Sequence, residues 1–171
     1  ILEASTINDN PMDVKPAEVD FAEEFEYLCQ SIEIRVQRHH LRFVTSKPLK
    51  KLRVSIDIGR VRQIFSNFVS NALKYTKKGS IWVGYRLEKR NGQMGIYAFC
   101  EDTGTGIPHD KQKAVFDRFV KLNEFVQGTG LGLSICKSIV TACHGDIGVE
   151  SEVDNGSKFW FWIPVEVIEK E

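Results

Sequence analysis

Apolar residues at Val61, Ile64, Phe65, Phe68, Val69, Ala72 and Leu73 recur at the i, i+3, i+4 spacing of a helix with one buried face. The spacing predicts a helix from about 59 to 75. Arg60, Gln63, Asn67, Ser70, Asn71 and Lys74 form an equally regular polar stripe on its other side. A second helical period runs through Val19, Phe21, Ala22, Phe25, Leu28, Cys29, Ile32 and Val36 up to His39, and a third, introduced by glycines, covers 131–143. Alternating β-branched and aromatic residues predict strands at 41–45 and 53–57, joined across a Pro-containing turn as a short hairpin. Runs 80–87 and 95–101 flank "KRNGQ", a turn signal of the Asn-Gly type, and runs 146–151 and 158–165 enclose "EVDNGS", which predicts two further hairpins. Strands and helices in mixed order with hairpin connections imply an α+β fold. The expected architecture is a two-layer sandwich of a mixed, mostly antiparallel sheet with helices on one face.

Composition narrows the picture a little. The 171 residues fit one domain with a real core, and 23 basic against 23 acidic side chains leave no whole-chain electrostatic footprint for nucleic acid or an anionic membrane surface. Any polyanion is bound locally, and no nucleic-acid partner is expected. Cys29, Cys100, Cys136 and Cys143 show no C-x-x-C spacing and read as reduced, buried thiols of a cytoplasmic protein. No run approaches the roughly 18 apolar residues of a membrane span, so the chain as given reads as soluble.

Three polar motifs call for chemistry. The first is "NFVSNALKYT", which puts Asn67 and Asn71 one turn apart on a helix, although Asn is a mediocre helix former that competes for its own backbone. A solvated face would explain the stripe by itself. In "EDTGTGIP", Asp102 ends a predicted strand and Gly104 and Gly106 follow at alternate positions, so backbone can approach a ligand closely while the carboxylate points into the space opened. The third, "GTGLGL", opens a helix with Gly128, Gly130 and Gly132 and leaves unpaired N–H groups and the positive end of the dipole facing outward. It is neither a Rossmann fingerprint nor a Walker loop, because the G-x-x-G spacing and the Lys after the last Gly are both absent.

The order of these pieces is specific. Asn67-x-x-x-Asn71, Asp102-x-Gly104-x-Gly106, Phe116-Asp117-Arg118-Phe119, Gly128-x-Gly130-x-Gly132 and Gly156 resemble the five nucleotide-binding boxes of the sensor histidine kinase ATP-binding domain. That family shares a superfamily, and the Bergerat ATP-binding fold, with DNA gyrase, the ninety-kilodalton heat-shock chaperones and MutL-type ATPases. The resemblance implies ATP and Mg²⁺ as cofactors. Asn71 would hold Mg²⁺ through its side-chain oxygen, and Lys74 would neutralise phosphate charge. Asp102 would accept from the adenine amino group, a place where guanine presents a mismatched carbonyl. Tyr75, Ile107, Thr129 and Leu131 join the expected nucleotide site with the glycines. Asn67 stands where hydrolysing relatives carry a water-activating Glu, and an amide cannot accept a proton near neutral pH. Arg118 and Lys121, in the short lid segment before Gly128, are candidate cations: one could meet the phosphates and the other a partner domain.

The resemblance also implies what this chain lacks. The family's acceptor histidine sits on a separate dimerising hairpin, followed by an acid, an apolar residue and a base. His39, His40, His109 and His144 have no such context. "ILEAS" resembles the last turn of that hairpin, so 1–11 are expected as its tail and 12–171 as the catalytic ATP-binding domain. The implied partners are the dimerisation and phosphotransfer domain of the same protein and a receiver domain of a response regulator, in a homodimeric parent of the bacterial hybrid kind, itself anchored in the inner membrane through another segment. The fragment alone is expected to be monomeric. A degenerate nucleotide sensor and an ATP-driven conformational clamp are the alternatives. A stacking surface for nucleic acid at "FWFWIP" is a further one, against which alternating strand aromatics more often serve as sheet core and cover.

Overall fold

Two aspartates start the two long helices. Asp20 accepts from the backbone N–H groups of Ala22 and Glu23, and Asp57 from that of Arg60, each satisfying donors that a helix cannot pair internally. The computed structural model describes residues 12–117 and 132–171. In chain order these form β1 (Ala17–Asp20), α1 (Phe21–Arg38), β2 (Arg42–Ser46), β3 (Leu52–Ile56), α2 (Ile58–Tyr75), β4 (Ser80–Arg90), β5 (Gln93–Asp102), α3 (His109–Gln112), α4 (Gly132–Ala142), β6 (Asp146–Glu152), β7 (Gly156–Pro164) and β8 (Glu166–Lys170).

The main sheet has the order β2-β4-β5-β7-β6, antiparallel except for the parallel pair β2/β4. Its inner face and the apolar stripes of α1, α2 and α4 make one core. Aromatic rings lock the layers together: Phe25 meets Tyr85 at 4.9 Å, Phe65 meets Phe161 at 5.8 Å and Phe68 meets Phe159 at 5.5 Å between centroids. The α+β sandwich with helices on one face is therefore the observed architecture, and the hairpins β4–β5 and β6–β7 fall where expected. At the first of them Asn91 and Gly92 both take positive φ, 50° and 79°, as a tight two-residue turn requires.

The expected β2–β3 hairpin is not formed. β2 lies at the edge of the main sheet, with Arg42 opposite Ser80, whereas β3 pairs with β1 and β8 in a separate three-stranded antiparallel sheet. Alternation does fix the faces of β3, since Leu52, Val54 and Ile56 are buried, but a period of two says nothing about which strand is the neighbour. The start of the first helical period is also corrected. Val19 belongs to β1, and Asp20 both caps α1 and accepts from the N–H of Leu52 at 3.0 Å.

On β7 the aromatic run divides by face. Phe159 and Phe161 point into the core, while Trp162 packs with Tyr97 and Phe99 on the far side of the sheet. That outer layer is roofed by cations: Arg86 lies 4.0 Å from the Tyr97 ring centroid, Lys158 4.7 Å from Phe99 and Arg90 4.9 Å from Trp160. Tyr97 and Trp162 are consequently only 4% and 5% exposed, so their ring faces are already covered by the chain's own side chains.

Phe161, fully buried between Phe65 and Phe68, should be among the costliest truncations. Phe161→Ala is expected to lower the unfolding free energy by about 3–5 kcal/mol, measured by urea denaturation. A loss under about 1 kcal/mol would mean that the layers do not depend on this contact.

Candidate functional site

The C-terminal end of α2, the end of β5 and the start of β7 meet around one carboxylate. Asn71, Tyr75, Asp102, Thr105, Gly106, Ile107 and Ser157 line a cavity of about 90 Å³. Asp102 is 5% exposed. Its Oδ1 accepts from the backbone N–H groups of Gly104 at 2.9 Å and Ser157 at 3.3 Å. Burial pushes its pKa above the ordinary aspartate value, and those two donors oppose the shift. Beside it the buried Thr76 hydroxyl faces the same carboxylate and also opposes the shift, although at a geometry too poor for a regular hydrogen bond. A weakly engaged hydroxyl and a carboxylate whose Oδ1 is already held suit a ligand that brings both donors and acceptors, as the edge of a purine or its bridging water does.

The glycines of "EDTGTGIP" act differently from the expectation. A Cβ on Gly104 would overlap the Tyr75 carbonyl oxygen, and Gly106 has φ +73° with its face against the Glu152 carbonyl. Here the close approach is chain to chain. Thr105 donates its N–H to Tyr75 O at 3.1 Å and accepts at its own carbonyl from Asp154 N at 2.7 Å, so the segment is stitched between α2 and the β6–β7 turn. Sequence reading missed the residues that brace this segment from below. The Ser151 hydroxyl accepts from Ile107 N at 2.8 Å, and Gln112 Nε2 donates to the carbonyls of Ile107 and Ser151 at 2.8 and 3.0 Å. It also missed Ser157, whose one sequence signal is its place directly after Asn155-Gly156.

The two asparagines part company. Asn67 Nδ2 donates to Gly132 O at 3.2 Å and lies 3.6 Å from Cys136 Sγ, a thiol that burial pushes up to about 12. It is a tie between α2 and the first turn of α4. Asn71 lines the cavity, and its side chain makes no hydrogen bond to any other described residue. Lys74 is exposed one turn beyond Ser70. Arg118, Lys121, Gly128, Thr129, Gly130 and Leu131 lie outside the described residues, as does the segment 1–11, and Gly132 is the first residue of α4. His109 is exposed on α3, 3.2 Å from Glu152 Oε1. Among the described residues no helix is long and apolar enough to cross a membrane.

A buried aspartate at the end of β5, an asparagine beside it in the same cavity, and a helix whose first residue, Gly132, is tied to α2 through Asn67 are consistent with a nucleotide-binding α+β domain. The family described as histidine kinase-, DNA gyrase B-, and HSP90-like ATPase matches residues 56–167, and the chain belongs to it. It is 32% identical over 167 residues to the adaptive-response sensory kinase SasA of Synechococcus sp. (strain JA-3-3Ab), covering 96% of this chain and 44% of that protein. It is 34% identical over 132 residues to the sensor histidine kinase WalK of Bacillus subtilis (strain 168), covering 75% of this chain and 21% of that one. Among solved structures, full-length ShkA in complex with AMPPNP superposes with a TM-score of 0.82 at 26% identity, over 97% of this chain and 34% of that chain. The domain is thus an ATP-binding domain of the sensor histidine kinase type, and it spans less than half the length of the curated relatives named.

The raised pKa of Asp102 has a defined sign. A carboxyl that holds its proton more tightly when folded stabilises the fold most at low pH, and this contribution is lost as pH rises from the ordinary aspartate value through the raised folded one. The difference in unfolding free energy between the wild-type chain and Asp102→Asn should therefore fall across that window and level off above it. Urea titrations at a series of pH values measure it, and a difference that grows with pH would contradict the burial of the charge.

Proposed function

We propose that this domain is the catalytic part of a sensor histidine kinase, which binds ATP with Mg²⁺ and presents the γ-phosphoryl group to a histidine on a dimerising domain of the same protein. The observation that carries the reading is the pairing of Asp102 with Asn71 in one cavity. The carboxylate is buried, oriented by two backbone donors and left with Oδ2 for an exocyclic amine. That arrangement selects adenine, because a carbonyl at the same place would face a fixed negative charge. The cavity's size suits a planar ring and leaves sugar and phosphates to its rim. There the Asn71 amide offers a neutral oxygen of the kind that a hard cation takes alongside water and phosphate oxygens, and Lys74 is the nearest cation in sequence.

In this reading ATP supplies the phosphoryl group, and the domain's residues hold, orient and select it. Asn67 is spent on the Gly132 carbonyl and has no basic site, so no described residue is placed to activate water as a Glu at that position would. Slow hydrolysis suits a domain that must keep the phosphoryl group for a protein acceptor. Arg118 and Lys121 are proposed as the cations of the segment preceding the glycines, one for the phosphates and one for the partner. Residues 1–11 are proposed as the tail of the dimerising helix, and a response-regulator receiver as the downstream partner in a homodimeric, cytoplasmic-facing parent.

Calorimetry with adenosine, ADP and a nonhydrolysable triphosphate separates the roles. Asn71→Ala should remove most of the Mg²⁺-dependent part of triphosphate binding and leave adenosine binding nearly intact, whereas equal loss of both would remove the metal role from Asn71. Phosphotransfer is tested by joining a dimerising domain with its acceptor histidine ahead of Ile1. The fusion should label that histidine from ATP while the isolated chain labels none of its four. A fusion that binds ATP without labelling would identify a nucleotide sensor instead.

A further inference from the structure

The chain is neutral overall, yet its charge is unevenly distributed. From Ile34 to Leu87 the sequence holds thirteen Lys and Arg and a single acid, Asp57. Asp57 is committed at the start of α2, where it accepts from the backbone N–H groups of Lys15 and Arg60. Some of these cations find carboxylates: Arg53 pairs with Glu18, Arg62 with Glu24, Lys47 with Glu26, and Arg86, with Arg90 beyond the stretch, pairs with Glu88. Others, such as Arg42, Lys77 and Lys78, have no carboxylate partner among the described residues, and one such unpaired group is gathered around a cleft. Between α1 and the C-terminal half of α2 lies an open cleft of about 370 Å³ lined by Arg35, Arg38, His39, Ser70, Leu73 and Lys74. None of its cations meets a carboxylate among the described residues.

Arg35 makes this cleft more than a spread of surface charge. Its guanidinium is half-buried, with Nη2 donating to Ser70 Oγ at 2.6 Å and Nη1 to Ser66 Oγ at 3.5 Å. Serine hydroxyls orient a guanidinium but do not neutralise it, and burial lowers its pKa from the ordinary arginine value. One edge of the fork is fixed, and the remaining N–H groups are left for an acceptor. The Ser70 hydroxyl, accepting from Arg35, keeps its own hydrogen to give. His39 donates through Nδ1 to the Arg35 carbonyl at 3.1 Å, which leaves Nε2 as its outward atom. Leu73, expected in the core from its spacing, is half-buried here and forms part of the cleft lining.

We propose that the α1/α2 cleft is a binding site for a phosphate-class oxyanion, anchored by Arg35 and Ser70 and bordered by Arg38, His39 and Lys74. A tetrahedral dianion matches what the cleft offers: several donors from different directions and more positive charge than one carboxylate balances. The site is separate from the adenine cavity. Ser70 and Lys74 are one turn apart on α2 and Asn71 belongs to the cavity side, so Lys74 stands at the border of the two sites. The oxyanion has two chemical sources, the terminal phosphate of a bound nucleoside triphosphate or a phosphate that is not part of the nucleotide. The inference goes beyond the nucleotide reading and needs it only for the first source.

The test is a titration of the chain with inorganic phosphate at constant ionic strength, balanced with chloride, following arginine Nε–H and α2 amide signals by NMR. Saturable shifts at Arg35 and Ser70 are expected, with affinity reduced about tenfold or more in Arg35→Ala, as loss of a hydrogen bond to a charged group implies. Arg38→Ala, at an exposed position, carries the same expectation of weakened binding and decides the matter should Arg35→Ala fail to fold. Phosphate displaced by a nonhydrolysable triphosphate but not by ADP assigns the site to the nucleotide's terminal phosphate, and phosphate retained with either bound assigns it to a separate oxyanion. Asp102→Asn should abolish ADP binding and leave the phosphate titration unchanged, which keeps a failure of the adenine site distinct from a failure of the cleft. Shifts reproduced by chloride, or affinity unchanged in the folded variants, would overturn the proposal.

Discussion

The burial of the Asp102 carboxylate constrains most of what surrounds it. A carboxylate that is 5% exposed is costly unless donors are aimed at it. Here the donors are backbone N–H groups from its own strand end and from the first residues of β7. To deliver them, the chain after β5 must turn at once beneath the end of α2 and beside the β6–β7 turn, with carbonyl oxygens where side chains would otherwise stand. Gly104 and Gly106 are the residues that allow this. The surroundings of the carboxylate are therefore held by backbone rather than by long side chains, as the proposed selection of a base would require.

The same economy explains why two similar side chains on α2 serve different ends. Asn67 and Asn71 are one turn apart, but only Asn67 comes within reach of α4, whose first residue offers it the Gly132 carbonyl. An amide is well suited to that position because it can donate without carrying charge into a half-buried seam beside Cys136. A carboxylate would meet the carbonyl with repulsion unless it were protonated. Packing alone thus accounts for an amide at this position, and under the proposed function the same amide leaves no base there to direct water at the phosphoryl group.

How much of this could be read in advance depended on the kind of signal. α2, the β4–β5 hairpin and the β6–β7 hairpin were legible because each combines a clear period with a clear punctuation mark, such as Asn91-Gly92. The three-stranded sheet was not. β1 has four residues and directly abuts α1, so Val19 satisfies both periods, and β8 follows β7 across the single residue Val165. The β2–β3 error has the same root, for adjacent alternating runs look like a hairpin until pairing partners far along the chain, Ser80 and Glu166, are known. Within the site, Asp102 and Asn71 were legible as polar residues in places that propensity disfavours. Ser151, Gln112 and Thr76 were not, since their roles arise from contacts between segments tens of residues apart.

Helix α2 borders the sheet, the cavity and the cleft at once, and its faces show how one helix can serve several demands without compromise. At 100° per residue, Phe65, Phe68 and Val69 turn to the sheet, Asn67 and Asn71 to the α4 and cavity side, and Ser66 and Ser70 to α1. Lys74 falls between the last two. A long flexible cation that lines the cleft at its border with the cavity side can be drawn either way, so charge placed on one side is felt on the other. Asp57 caps the opposite end of the helix and Glu24 is engaged by Arg62 near that end, so no carboxylate among the described residues meets the Lys74 ammonium. The helix's polar surface is thus electrostatically one unit, although its cavity and cleft faces are geometrically two.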